Sequence, residues 1–113
     1  MKNIDPEILG LLVVKYGEDE QCRQAMGECG EFIAAAQNYY RSKKYGHRNE
    51  KLEDMIEEAV DVYFMMLQMR YLDEEMFDAI AARKFIKVSR KAKCTCEDLT
   101  GHVCDACKYL GKK

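Results

Sequence analysis

Ala-Val-Asp-Val-Tyr-Phe-Met-Met-Leu-Gln-Met, at residues 59–69, is the stretch of sequence that decides the fold. Only Asp61 and Gln68 interrupt its apolar side chains, and the period-two alternation of a half-buried strand is missing. A helix that is apolar on all sides is buried on all sides. Asp61 must then be buried or lie at the edge of a buried surface. Since burying an unpaired charge costs several kcal/mol, the sequence predicts a partner or a metal ion for Asp61.

Working outward, apolar positions recur at helical spacing along most of the chain, and no segment shows strand-like alternation. Local signals mark the helix ends, because Asp5-Pro6 and Asp73 are typical of helix starts and Tyr16-Gly17 of a break. Four helices are predicted: a short one from Pro6 to about Lys15, a long one from about Glu18 to about Ser42, a third that starts at Asn49 or Glu50, and a fourth that follows Asp73 and frays after about Ala92.

The apolar positions of the two long helices form stripes that we expect to be the core. The predicted stripe of the second helix contains Cys22, Met26, Cys29, Ile33, Ala36 and Tyr40, and that of the third contains Leu52, Met55, Ile56, Ala59, Val60, Tyr63, Met66 and Leu67. An extra apolar face on the third helix, made of Val62, Phe64, Met65 and Met69, is expected to meet another subunit. The predicted fold is therefore all-α, a four-helix-type bundle completed by dimerisation or tetramerisation.

Length and charge divide the 113 residues into a helical domain, residues 1–93, and a short tail, residues 94–113. Residues 1–82 carry 9 basic and 17 acidic side chains, a net charge of −8, whereas residues 83–93 carry 6 basic side chains and no acidic one. The basic segment indicates an anionic ligand such as phosphate or nucleic acid. The alternative is a solvated final helix turn whose cations complement the helix dipole.

The sequence predicts a cytoplasmic protein with no membrane partner. No stretch is long and apolar enough to cross a bilayer, and the short apolar run from Ile8 to Val14 follows Asp5-Pro6-Glu7, which is a poor signal peptide. The six cysteines are then expected to be reduced, buried or metal-bound.

Two matched pairs of acidic residues, Glu28 with Glu31 and Glu58 with Asp61, have i, i+3 spacing on consecutive predicted helices. This spacing places both carboxylates of a pair on one helix face. A short loop makes the two helices antiparallel neighbours, so the pairs lie at comparable heights and offer an oxygen shell for a hard cation such as Mg²⁺, with Mn²⁺ as the alternative. The alternative is that the four acidic residues lie on two solvated helix faces and form i, i+4 ion pairs there.

The order of these motifs resembles the MazG-like all-α nucleoside triphosphate pyrophosphohydrolases. The resemblance covers roughly residues 16–91 and departs from the family at Gly27, where the first acidic motif usually has a further acid. The matching positions are Tyr16-Gly17, Gln21, Glu28-x-x-Glu31, Glu57-Glu58-x-x-Asp61-Val62 and Lys84.

The resemblance implies a dimer or tetramer that hydrolyses nucleoside or deoxynucleoside triphosphates to a monophosphate and pyrophosphate, removing unwanted nucleotides from the pool. Mg²⁺ would be held by Glu28, Glu31, Glu58 and Asp61, and these four are the expected catalytic residues. Lys84, Lys87 and Arg90 would meet the polyphosphate. Gln21 is a candidate for base or sugar recognition, and the alternative for Gln21 is an exposed helix residue.

The tail contains two cysteine pairs, Cys94-Thr-Cys96 and Cys104-Asp-Ala-Cys107, with His102 between them. Four thiolates on short turning segments suit tetrahedral Zn²⁺, with His102 as an alternative ligand, and a metal would supply folding energy to a tail with almost no core. The competing readings are a disulfide pair and a reduced, mobile tail. Cys22 and Cys29 are expected to be packing residues of the core.

A rival reading of the whole chain is a non-catalytic helical adaptor. In that reading the basic segment and the zinc tail bind nucleic acid or a protein partner. It accounts for residues 83–107 and leaves Asp61 unexplained, so nucleic acid is the less favoured partner.

Overall fold

The computed structural model describes residues 3–46 and 48–93. They form four helices: α1 Pro6–Tyr16, α2 Glu18–Tyr45, α3 Arg48–Leu72 and α4 Glu74–Lys93. These two described ranges contain no strand, so the all-α prediction is confirmed. None of the described helices is both long enough and apolar enough to cross a membrane. The described residues divide into two units, one that ends at Asp73 and one that begins at Glu74, and the predicted boundary after Lys93 stays a prediction.

The helix ends follow the local signals in the sequence. The Asp5 carboxylate accepts a hydrogen bond from the Glu7 N–H at 2.9 Å, and Pro6 occupies the first position of α1. Gly17 ends α1, because its N–H donates to the Val13 carbonyl at 2.9 Å. Its own carbonyl accepts from the Gln21 N–H at 3.1 Å and so begins α2. One residue therefore closes one helix and opens the next.

Replacing Gly17 with Ala is expected to destabilise the protein by about 1–3 kcal/mol, because Gly17 has φ 91° and ψ 152°, a region that L-residues rarely adopt. The matched control is Gly27→Ala inside α2. A Cβ would meet nothing within 4 Å at either position, so only the backbone distinguishes them. Gly27→Ala should stabilise by roughly 0.5–1 kcal/mol. Urea unfolding measures both, and equal effects of the two substitutions would contradict the argument.

Apart from Met55, the buried and partly buried runs that face each other on α2 and α3 consist of other residues than the predicted stripes. Each helix has one continuous run of buried and partly buried residues at 3- and 4-residue spacing. These runs are Gln21, Ala25, Glu28, Phe32, Ala35, Tyr39 and Ser42 on α2, and Lys51, Met55, Glu58, Val62, Met65 and Met69 on α3. We call these two runs together the seam. The seam places Glu28 and Glu58 between the helices, which the predicted stripes did not.

The predicted core stripes are wrong at several of their positions for this chain by itself. Met26, Ile33 and Tyr40 are 67%, 58% and 70% exposed, and Ile56 of α3 is 50% exposed. The contact face of α2 starts one residue earlier, which turns the helix by about 100°. Conversely Met65, expected to meet another subunit, is buried within the chain. The described residues bury three apolar side chains, Val13, Ala25 and Met65, so the core is small.

α1 joins the hairpin of α2 and α3 through a close approach at Gly10. Gly10 is buried, and a Cβ at this position would collide with the Tyr71 ring of α3. A residue without a side chain is therefore needed where α1 meets the end of α3.

Candidate metal centre

Three carboxylates converge where the seam passes the middle of the hairpin. Glu28 of α2 faces Glu58 of α3, and Glu31 lies one turn further along α2 on the same side. One ligand atom from each of Glu28, Glu31 and Glu58 lies within 4.8 Å of the other two. The predicted pairing of the two acidic motifs across the hairpin is therefore present for these three residues.

Two oxygen atoms of this cluster lack any partner. Glu28 and Glu58 are partly exposed as whole side chains, but the Oε2 atom of each is closed off from solvent. No described residue donates a hydrogen bond to either atom. A carboxylate oxygen that is removed from water without a donor is costly, and a cation or a proton removes the cost. The donor set is made only of carboxylate oxygens, which is the set that hard divalent ions prefer.

The raised pKa values of Glu28 and Glu58 also indicate that a cation or a proton would stabilise the cluster. Desolvation by burial raises the pKa of Glu28 above its ordinary value of 4.5, and the charges of Glu31 and Asp61 raise it further. Burial likewise raises the pKa of Glu58, followed by the charges of Glu31 and Asp61. The neighbouring Glu31 carboxyl therefore contributes to the raised pKa of both groups. The cluster is therefore short of positive charge.

Asp61 lies at the margin of the cluster. It is exposed, so of the two expected alternatives, burial or a position at the edge of a buried surface, burial does not hold for this chain by itself. Around the axis of α3, Asp61 lies about 60° from Glu58 and about 100° from Val62, outside the seam. Asp61 is not one of the three residues whose oxygens converge, but its charge still raises the pKa of Glu28 and Glu58.

An open groove of about 330 Å³ adjoins the carboxylates. It is lined by Glu31, Ala34, Ala35, Asn38, Asp54, Glu57 and Glu58. The small side chains of Ala34 and Ala35 leave room beside the acidic residues, and at about 30 Å³ for each water the groove accommodates a cation with several water ligands. Sequence reasoning did not assign Asn38, Asp54 or Glu57 to the site. The signal for Asp54 and Glu57 was the four-residue spacing from Asp54 to Glu58 and from Glu57 to Asp61 on one side of α3.

The structure places Gln21 in an environment that neither interpretation of the sequence described. It is buried, so the exposed alternative is wrong. Its Nε2 atom donates to Oε1 of Gln68 across the seam, and Gln68 Nε2 in turn contacts Met65 Sδ at 3.5 Å. The two amides satisfy each other inside the hairpin. Gln21 is therefore a structural residue of the seam, and we leave it out of the proposed site.

The Gln21–Gln68 pair supplies a test of that assignment. Gln21→Met is expected to cost about 1–3 kcal/mol of stability, because it leaves the buried amide of Gln68 without its partner. The double variant Gln21→Met with Gln68→Met should recover most of that loss, since both polar groups are then gone. Thermal unfolding gives the comparison. A double variant as unstable as the two single variants combined would rule out a mutual pair.

The remaining predicted site residues lie outside the first unit. Lys84 and Lys87 are exposed on α4 and Arg90 is partly buried there. They belong to the second unit, so their role towards a polyphosphate stays a prediction. The proposed zinc ligands Cys94, Cys96, Cys104 and Cys107, with His102, lie outside the described residues.

Comparisons with protein-family models, with curated proteins and with solved structures found no match to this chain.

Proposed function

We propose that this protein is a Mg²⁺-dependent hydrolase that cleaves nucleoside or deoxynucleoside triphosphates to a monophosphate and pyrophosphate. The observation that carries the proposal is the convergence of Glu28, Glu31 and Glu58, with two carboxylate oxygens that have neither solvent nor a hydrogen-bond donor. The order of acidic motifs that resembles the MazG-like enzymes supplies the reaction class.

The residues of the cluster fit the metal by chemistry and by charge. Glu28, Glu31 and Glu58 would hold it, and Asp61 would add negative charge from the margin. When bound, Mg²⁺ supplies charge neutralisation for the triphosphate and a water ligand of lowered pKa. Phosphoryl transfer depends mainly on such positioning and charge stabilisation.

The chain's own residues perform the other tasks. α2 and α3 hold the carboxylates on two rigid helices, so their geometry is set before the substrate arrives. Glu57 lines the groove next to Glu58, and its carboxylate would accept a proton from the attacking water.

The test is an assay of the full chain with each common ribo- and deoxyribonucleoside triphosphate, with Mg²⁺ and with EDTA. Equal amounts of pyrophosphate and monophosphate, formed only with Mg²⁺, are the expected result and identify the preferred substrate. Inorganic phosphate with a diphosphate would assign a different bond. No product from any nucleotide would reject the proposal for these substrates.

One observation favours a second candidate, the nucleic-acid adaptor. Phe85 and Val88 of α4 are largely exposed, on a helix that also exposes Lys84 and Lys87. Basic and aromatic side chains together are typical of surfaces that bind nucleic acid strands. An affinity that falls steeply with salt, in a protein that releases no pyrophosphate, would place this function first.

A further inference from the structure

The turn between α2 and α3 carries a cluster of positive charge. Residues 32–49 contain four Lys or Arg side chains and no acidic one, although residues 1–82 together have a net charge of −8. All four are exposed, and none of them forms an ion pair with a carboxylate in the described part of the chain. We call these four residues the basic turn: Arg41, Lys43, Lys44 and Arg48.

Two cations of the basic turn converge on one aromatic ring. Lys43 Nζ lies 5.1 Å from the centroid of the Tyr39 ring, and the guanidinium carbon of Arg48 lies 6.0 Å from it. Lys43 comes from the end of α2 and Arg48 from the start of α3, so the ring gathers charge from both arms of the hairpin. The two like charges repel each other, and an anion bound between them would offset that repulsion.

The helix dipoles account for the lysines of the basic turn but not for Arg48. Lys43 and Lys44 lie in the last turn of α2, where the negative end of the dipole favours cations. Arg48 is the first residue of α3, where the positive end of the dipole favours acidic side chains. Glu50 follows in the same turn of α3 but forms no ion pair with Arg48. The guanidinium is therefore held where its own backbone disfavours it.

We propose that the basic turn binds an unpaired strand of nucleic acid, with Lys43 and Arg48 on its phosphates and Tyr45 stacked on a base. Tyr40 and Tyr45 are 70% and 73% exposed, next to the cations in the sequence. Exposed aromatic rings among cations are typical of surfaces that bind single strands, because every base has a face that can stack. The strand is then bound without reading its sequence.

The dimensions of the turn favour a strand over a free nucleotide. The groove at the turn has a volume of about 220 Å³ and is lined by Gly46, Arg48, Asn49 and Glu50. Pockets that enclose a small molecule usually measure about 300–1,000 Å³. A phosphate group fits in the smaller groove, whereas a sugar and a base must lie on the open surface beside it.

The composition of the turn argues against a membrane surface as the partner. Residues 39–49 contain no Leu, Ile, Phe or Trp, the side chains that insert into the interface of a bilayer. The basic turn is also separate from the candidate metal centre, because Arg48 precedes Glu58 by ten residues of α3, about 15 Å along the helix axis. The proposal therefore does not depend on the proposed hydrolysis.

The test is the fluorescence anisotropy of a labelled oligothymidylate, titrated with the full chain at several salt concentrations. The affinity should fall as salt rises. For Lys43→Gln with Arg48→Gln, the slope of log K against log salt should be shallower by about 1.4, because each phosphate contact to a single strand contributes about 0.7. Tyr45→Ala should weaken binding roughly 10-fold, since one stacked base is lost.

Arg23→Gln is the matched control, because it removes an exposed cation of α2 that pairs with Glu20 away from the turn. It should bind as the wild type does, and circular dichroism checks that every variant remains helical. Lys84→Gln with Lys87→Gln tests α4, and the turn substitutions should weaken binding in that background too. If only the α4 substitutions lower the affinity, the inference is overturned.

Three further outcomes would overturn the proposal. The first is a wild type that does not bind the oligothymidylate. The second is a DNA duplex of the same length that binds as tightly as the single strand, because its bases are not free to stack on Tyr45. The third is polyglutamate that competes as well as unlabelled oligothymidylate of equal length, which would identify an acidic protein as the partner.

Discussion

Glu58→Gln is expected to reduce Mg²⁺-dependent pyrophosphate release by on the order of 10²–10³-fold, the usual loss when one charged group that stabilises a transition state is removed. Glu58 contributes one of the two carboxylate oxygens that lie closed off between α2 and α3, and Glu28 contributes the other. The amide is nearly isosteric with the carboxylate but carries no charge, so it cannot neutralise a divalent ion. Glu28→Gln should have an equal effect.

The same substitutions should raise the stability of the metal-free protein although they lower its activity. Burial and neighbouring acids raise the pKa of Glu58, so the ionised carboxylate is disfavoured in the metal-free fold. Replacing it with an amide removes that penalty, and Glu58→Gln should unfold at a higher temperature than the metal-free wild type at neutral pH. Loss of activity with gain of stability distinguishes a functional site from a damaged fold.

Glu53→Gln is the matched control, since Glu53 is exposed on α3 and does not line the groove. Its activity and stability should stay close to those of the wild type. Asp61→Asn should also reduce activity, because the charge of Asp61 acts on both Glu28 and Glu58. Full activity in both Glu58→Gln and Asp61→Asn would refute the proposed metal centre.

Mg²⁺ is expected to stabilise the protein strongly at neutral pH and not at all in acid. At a Mg²⁺ concentration about 100 times its Kd, the unfolding free energy rises by about 2.7 kcal/mol. For a domain of this size that is a rise in Tm of roughly 10 °C or more. A scan of Tm against pH, with Mg²⁺ and with EDTA, measures the effect.

The direction in which stability changes with pH follows from the raised pKa values of Glu28 and Glu58. In EDTA, the folded state keeps protons on Glu28 and Glu58 above pH 4.5, where the unfolded chain has released them. The stability from these protons is complete below 4.5 and is lost as the pH rises through the raised pKa of each group. Mg²⁺ binds the deprotonated carboxylates, so its stabilisation grows over the same interval.

The double variant Glu28→Gln with Glu58→Gln is the control for this scan. It has neither of the two raised pKa values, so its Tm in EDTA should lack the decline that they cause, and Mg²⁺ should leave it unchanged. If Mg²⁺ stabilises the double variant as much as the wild type, the ion binds elsewhere. If Mg²⁺ does not change the Tm of the wild type, the protein has no Mg²⁺ site of useful affinity.

The sequence by itself determined the helices and the three carboxylates that converge, Glu28, Glu31 and Glu58, although it also predicted Asp61 as a member. Asp5-Pro6, Gly17 and Asp73 mark helix ends through bonds and backbone angles that depend only on neighbouring residues, and the structure places the ends within a few residues of the prediction. The i, i+3 pairing of Glu28 with Glu31 depends only on helix geometry. Local signals of this kind are readable because the atoms involved are close in the chain.

Only the tertiary structure decided which face of each helix is inside. The stripe through Met26 and Ile33 and the run through Ala25 and Glu28 have the same 3- and 4-residue spacing and differ by one residue, so periodicity alone cannot choose between them. The choice depends on what the opposing helix offers. Gln68 satisfies the amide of Gln21 across the seam, and Glu58 meets Glu28 there, so polar residues occupy positions where a sequence pattern expects apolar ones.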